Sequence, residues 1–287
     1  MPESIETYFV EQYQNTIRIL VQQKTSRLER TTIPPIHVTG DALYWERMGA
    51  TEAIELVTRH DDTPNIEVDH SRRRQTATPR VWATLLDTKD QVRMLADPKN
   101  YYNQIARMAF NRAKDSVIIT ALGGTAYAGQ SGGTAVVLPS AQKIAHGSVG
   151  LTLTKLLSAK EQLDADEVDE DMERYMVVAA RQVTNLLETT EVKSADYNTV
   201  KALVEGKIDT FMGFKFIRTQ LLDLTSSVRY CYAYAKGAIG FGTLKDIESR
   251  ITQESTKNFA WQVWGQMDIG ATRIEEEQVI EIACSES

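Results

Sequence analysis

DPKNYYNQIARMAFNRAKDSVIITALGGTAYAGQSGG, residues 97–133, decides between two kinds of protein. Within it, Gly124-Thr-Ala-Tyr-Ala-Gly129-Gln130-Ser131 is one substitution away from the phosphate-cradling motif G-x-x-x-x-G-K-[ST]. A phosphate loop must follow a strand and open a helix, so that backbone N–H groups and the positive helix end face the phosphates. The order here is reversed. Asp97-Pro98 is a helix start, and Tyr101, Ile105, Met108, Ala109, Ala113, Val117 and Ala121 follow at helical spacing. The pattern predicts a helix of roughly 24 residues that stops at Gly123-Gly124. Thr134 to Pro139 then reads as extended chain. Gln130 also stands where the lysine would contact the terminal phosphates. The glycines mark a turn, and no nucleotide site is expected.

Working outward, the N-terminal segment carries Ile5, Phe9, Tyr13, Ile17 and Val21 at steps of four, with Leu20 beside them. That is one apolar stripe on a helix, cut off by Pro34-Pro35. Such a stripe needs a surface, either on its own domain or on a neighbouring subunit. Residues 42–86 read as two extended segments, 52–60 and 80–86, around a long polar insert. Arg72, Arg73 and Arg74 form the basic tip of that insert, either solvated or in contact with a charged partner or phosphate.

Downstream, residues 151–165 give a helix through Leu151, Lys155, Leu156, Ala159 and Leu163. A short strand over 175–179, helices over 181–187 and 197–206, and a strand over 211–217 broken by one glycine follow. Residues 231–236 alternate as a strand. Residues 260–274 alternate with Val263, Met267, Ile269 and Ala271 on one side, and the EEEQ turn folds them against VIEIAC as an antiparallel hairpin.

The chemistry inventory is thin. The four histidines lack metal-ligand spacing, the acidic run 161–171 lacks the calcium-loop pattern, and no nucleophile elbow occurs. No enzymatic activity, cofactor or metal is expected. Two cysteines, Cys231 and Cys284, give no disulfide framework, and Cys231 reads as core packing. A net charge of −7 argues against a general nucleic-acid binder. No leader and no apolar run of membrane-spanning length is read, so a soluble protein made in the cytosol is expected.

The order of parts resembles the major capsid proteins of tailed double-stranded DNA bacteriophages with the Hong Kong 97-type fold. The segments that carry the resemblance are RRRQTATPRVWATLLDTKDQVRMLADP, the stretch from QKIAHGSVG to GFKFIRT, and DIGATRIEEEQVIEI. GKIDTFMGFKF (206–216) and IGATRIEEEQVIEI are the most telling.

The resemblance implies an α+β chain with an N-terminal arm (1–40) and an extended β-hairpin loop (41–86). A peripheral domain (87–146 and 243–287) would carry the long spine helix, and 147–242 would form the axial domain. It implies self-assembly into hexamers and pentamers of an icosahedral shell that encloses DNA without sequence-specific binding. Portal, scaffolding and decoration proteins are the implied partners, the virion is the location, and no membrane is involved. Phe9, Ile17, Val21, Arg72, Arg73 and Arg74 are the expected inter-subunit contacts. Encapsulin compartments share the fold and are the alternative. Some capsids of this fold weld subunits through a lysine in the extended loop, but this chain has no lysine between Lys24 and Lys89.

Overall fold

The computed structural model describes residues 19–34, 36–37, 40, 42–55, 58, 62–63, 65–86, 99–188 and 210–286. Its axis is the helix α1, Lys99–Gly123, 25 residues long and placed as the spacing predicts. It closes at Gly124, whose N–H donates to the Thr120 carbonyl at 2.9 Å. The Asp97-Pro98 start lies outside the described residues.

The buried face is turned one residue from the predicted stripe. Ala106, Phe110, Ile118, Ile119 and Leu122 are buried, while Ala113 and Val117 form a half-buried shoulder. The cause is that α1 is covered on two sides, by a sheet and by the chain at 22–31. Among the described residues no helix is long and apolar enough to cross a membrane.

Among the described residues four strands precede α1: β1 (Ile36–His37), β2 (Ala42–Met48), β3 (His70–Thr76) and β4 (Thr78–Leu86). Two short ones follow it, β5 (Ala126–Ala128) and β6 (Thr134–Val136), then β7 (Lys143–Ile144), helix α2 (Leu153–Ala165) and strand β8 (Arg174–Val178). Helix α3 (Ala180–Glu188) comes next. The remaining strands are β9 (Thr210–Phe211), β10 (Phe214–Arg218), β11 (Leu224–Thr225), β12 (Val228–Ala235), β13 (Ile239–Glu254), β14 (Ala260–Arg273) and β15 (Val279–Ser285). The helix expected over 197–206 lies outside the described residues. The glycine that interrupts 211–217 is a corner between β9 and β10, where Met212 and Gly213 take φ of +53° and +87°.

Three sheets result. The first is β1-β13-β14-β4, the second β7-β15-β12-β8-β10-β9 with β11 beside β12, and the third β2-β3-β5-β6. β14 alternates as read: Val263, Met267 and Ile269 are buried towards α1, and Ala271 is half-buried. Gly265 leaves room for Phe110, since a Cβ there would lie 2.8 Å from its ring. α2 starts at a Thr152 cap, whose hydroxyl accepts from the Lys155 amide. It buries Leu156, Ala159 and Leu163. β8 is buried at all five positions, as the centre of a covered sheet must be.

Three expectations are corrected. Residues 51–55 form no strand. The first strand is β2, which pairs with β3 from Ala42↔Thr76 to Met48↔His70. Leu43, Trp45 and Arg47 supply its inward alternation, whereas Ile54 of the expected segment is exposed. Arg72, Arg73 and Arg74 therefore lie within a strand and not at a loop tip. Finally, β15 does not fold against β14. β14 pairs with β13 and β4, and β15 pairs with β12 and, in parallel, with β7. The turn 275–278 carries the chain from one sheet to another because Glu276 is buried within it. The closing strand thus joins β8, β10 and β12, in the stretch assigned by resemblance to the axial part.

Close backbone approach joins the third sheet to the first. Trp45 stacks on Gly240, where a Cβ would collide with the indole. Trp45 Nε1 donates to Gln75 Oε1 at 2.8 Å, and Gln75 Nε2 donates to the Gly270 carbonyl at 2.7 Å. A Cβ at Gly270 would strike the Thr76 carbonyl oxygen, which is backbone and cannot swing aside. Gly270→Ala is therefore expected to destabilise the subunit by about 1–3 kcal/mol, the usual cost of overpacking. Urea denaturation measures it, with Gly133→Ala, which meets nothing within 4 Å, as the neutral control.

Candidate assembly surfaces

Two described segments, the chain before β1 and the β2–β3 pair, are fastened to this body by polar contacts. The first root is the chain before β1. Asp115, fully buried on α1, faces it. Its carboxylate accepts from the Arg27 amide at 3.0 Å, the Leu28 amide at 3.1 Å, the Ser26 hydroxyl at 2.5 Å and the Gln23 side chain. Lys114 pairs with Glu29 at 2.7 Å, Arg112 donates to Gln22 at 2.7 Å, and Asn111 donates to the Lys24 carbonyl at 2.8 Å. Leu28 seals the joint, fully buried in the core. Residues 19–28 are not helical, so the helix expected from 4 onward does not reach Val21. The interior amides of a helix are committed to their own i−4 carbonyls and could not converge on one carboxylate. Leu20 and Val21 stand exposed, and Phe9 and Ile17 lie outside the described residues.

The second root is the β2–β3 pair. Its odd-numbered residues face the body and its even-numbered residues face out. Inward, Arg73 is buried and bonds Glu276 Oε2 at 2.8 Å, and Arg47 reaches the same oxygen at 3.4 Å. Outward, Arg72 pairs with Glu46 at 3.2 Å and lies over the Tyr44 ring, 5.5 Å from its centroid. Arg74 donates to the Ser131 carbonyl at 3.2 Å. The glycine-rich stretch finds its use here. Gly129 and Gly132 turn the β5–β6 hairpin at φ of +91° and +71°, and a Cβ on Gly132 would collide with Arg74. All three arginines thus have partners in their own chain.

Exposed apolar groups are left on the first sheet. Val81 and Leu85 of the edge strand β4 point outward, beside the half-buried Trp264 of β14. Phe259, 61% exposed, takes φ of +56° at the turn between β13 and β14. A bulky residue in the left-handed region stores strain, which suits a contact point better than a core position.

Among the described residues no group of three or more histidine, cysteine or acidic side chains is placed to hold a metal. Hydrogen bonds from Lys215, Tyr175 and Lys236 hold the Glu173 carboxyl at about 2, so it is a structural anion between strands. Burial pushes Lys155 down, but its ammonium is fully used by the carbonyls of His146, Val149 and Ala283 at 2.8–3.0 Å.

The family model for phage capsid proteins matches residues 5–286, nearly the whole chain. The chain belongs to the phage capsid protein family. It is a major capsid protein that builds a phage head shell, and its α+β fold is that of the Hong Kong 97-type capsids. The capsid of cyanophage P-SCSP1u matches with a TM-score of 0.75 at 17% identity, over 98% of this chain and 94% of that one. The capsid of Ralstonia phage GP4 matches with a TM-score of 0.74 at 11% identity, over 97% and 95%. Microbacterium phage Oxtober96 gives a TM-score of 0.73 at 13% identity, over 98% and 97%. No curated protein matches the sequence. The encapsulin alternative is not favoured by a whole-chain match to phage capsids. A capsid protein's place is the virion.

Reading the sequence missed the polar fastenings of the chain before β1 and of the β2–β3 pair. Asp115 had no visible signal, because an aspartate on a helix ordinarily faces water. Replacing it with alanine strips an acceptor from two buried amides and a hydroxyl. Asp115→Ala is expected to cost about 2–4 kcal/mol. Hydrogen exchange should show the Arg27 and Leu28 amides losing protection while β8 keeps its own.

Proposed function

We propose that this capsid protein closes into an icosahedral shell of hexamers and pentamers around the double-stranded DNA of a tailed phage. The supporting observation is the capsid family match over residues 5–286, on a body to which the chain before β1 and the β2–β3 pair are held as limbs by polar contacts. Limbs of that kind find their remaining partners on identical neighbours. Around closed symmetry each modest contact is repeated, so many weak interfaces hold the shell together. We assign 1–40 to the arm, 41–86 to the extended loop, and 87–146 with the β13–β14 ribbon to the peripheral part. Residues 147–242, joined by the closing strand β15, form the axial part. The arm stripe with Phe9, Ile17 and Val21 covers a neighbour, and Arg72 and Arg74 add polar contacts between subunits.

A net charge of −7 suits a wall that encloses DNA without adhering to it. Portal, scaffolding and decoration proteins complete the assembly, which takes place in the host cytoplasm. The protein carries out no nucleotide chemistry, since Gln130 and the turn geometry of 124–131 offer no phosphate seat. The shell is held without covalent links from the extended loop, because arginine stays charged and cannot attack as a lysine amine does.

Cryo-electron microscopy of purified particles tests the whole: closed icosahedral shells filled with DNA are expected, and empty shells loaded with a cargo enzyme would overturn the reading. On a denaturing gel the same particles should give a single band near 32.2 kDa. A ladder that survives boiling and reductant would overturn the non-covalent shell. Removing residues 1–18, which spares the buried Leu28 and the Asp115 joint, should leave a folded subunit that assembles poorly. Normal assembly of that truncation would reduce the arm to local packing.

A further inference from the structure

The second limb root carries more positive charge than its own chain neutralises. Among the described residues one carboxylate, Glu276, pairs with three guanidinium groups, Arg47, Arg73 and Arg273. Arg273 is otherwise provided for. It donates to the carbonyls of Leu122 at 2.9 Å, Gly124 at 2.8 Å and Val136 at 3.1 Å, at the negative end of α1. Arg47 and Arg73 are left to share one oxygen, Glu276 Oε2. Arg73 is 6% exposed, and its Nε has no acceptor. Arg47 has a single long bond at 3.4 Å, and its side chain remains 20% exposed. A guanidinium brings five N–H donors and cannot shed its proton. Unfilled donors and surplus charge therefore meet on the inward face of the β2–β3 pair, and Arg47, 20% exposed, is the member of the cluster that reaches solvent.

We propose that Arg47, backed by Arg73, is an oxyanion seat that receives a carboxylate from a neighbouring copy of this chain. The proposal rests on the shell reading above. Charge selects the occupant. Each copy carries 39 acidic against 32 basic residues, so an identical neighbour presents surplus carboxylates. A DNA backbone fits less well, because Glu46, Glu52, Glu55 and Asp69 stand exposed on the same limb and repel a string of phosphates. Asp69 lies two rungs beyond Arg47, opposite Gly49, and makes no ion pair among the described residues. A single carboxylate can pass these acids to gain a two-pronged arginine contact.

The test uses the full chain, first as dissociated subunits and then as assembled particles, with inorganic phosphate as probe against chloride at equal ionic strength. Calorimetry of dissociated subunits should show one saturable site. Arg47→Gln should weaken it at least tenfold, and Asp69→Asn should strengthen it several-fold by removing a repelling charge. Assembled particles should take up no phosphate at this site, because the neighbour already fills it. Absent binding by the free subunit, or binding indifferent to both substitutions, overturns the seat. Equal binding by subunits and particles overturns the neighbour as occupant while leaving the shell intact. Subunits that bind phosphate but never form particles overturn the shell reading and not the seat.

Discussion

Arg273 sits where every part of the subunit meets. It ends β14 in the first sheet, and its guanidinium donates to the last carbonyls of α1 and to Val136 of β6 in the third sheet. Three residues later Glu276 turns the chain into β15 of the second sheet. Burial lowers the arginine's proton affinity, Glu276 opposes that, and Arg73 adds to it. Its terminal nitrogens donate to three carbonyls, while Nε faces Glu276 Oε1 at 3.7 Å as an ion pair without a hydrogen bond. Burying a guanidinium is costly unless each prong finds an acceptor, and here the acceptors belong to different layers. The layers can part only by exposing or orphaning that charge. A leucine at 273 could fill the space, but it could not fix which helix end meets which sheet.

The same principle sets the register of the β2–β3 pair. A slip of one residue would turn Arg72 and Arg74 inward, send Arg73 to solvent, and leave Glu276 buried without its closest partner. An apolar inner face would tolerate such a slip far better, since any methyl group replaces another. The Trp45–Gln75–Gly270 chain of hydrogen bonds imposes the same register a few residues nearer the body. Charge and amide geometry hold a limb that has too little apolar surface of its own to stay in place.

This explains what was legible in the sequence. α1, α2, α3, β8, β12 and β14 follow from periodicity, because their burial is apolar and local spacing reports it. β3 was invisible to the same test. Its inward residues are Ser71, Arg73 and Gln75, so the alternation exists but carries no hydrophobic signal. The pairing of β15 was misread because nothing local distinguishes a hairpin turn from a crossing between sheets. Only the burial of Glu276 decides it, and that depends on arginines roughly 230 and 200 residues earlier in the chain. The resemblance in overall text supplied the fold class, which periodicity alone would have left open. Of the expected contact residues, the three arginines have partners within their own chain.

Both limb roots use one strategy, a buried carboxylate that gathers donors from a distant segment: Asp115 for the arm and Glu276 for the β2–β3 pair. In water such contacts exchange readily with solvent. Behind Leu28 and Trp45 they do not, so their directionality becomes stiffness. A shell subunit needs that combination. Its limbs must reach a neighbour at a defined angle, yet they cannot bring a core of their own without losing the reach. Polar anchoring at the root supplies the angle, while on the body Val81 and Leu85 of β4 stand exposed. A root packed by apolar burial alone would pivot, and an error of angle repeated around a five-fold or six-fold ring would prevent closure.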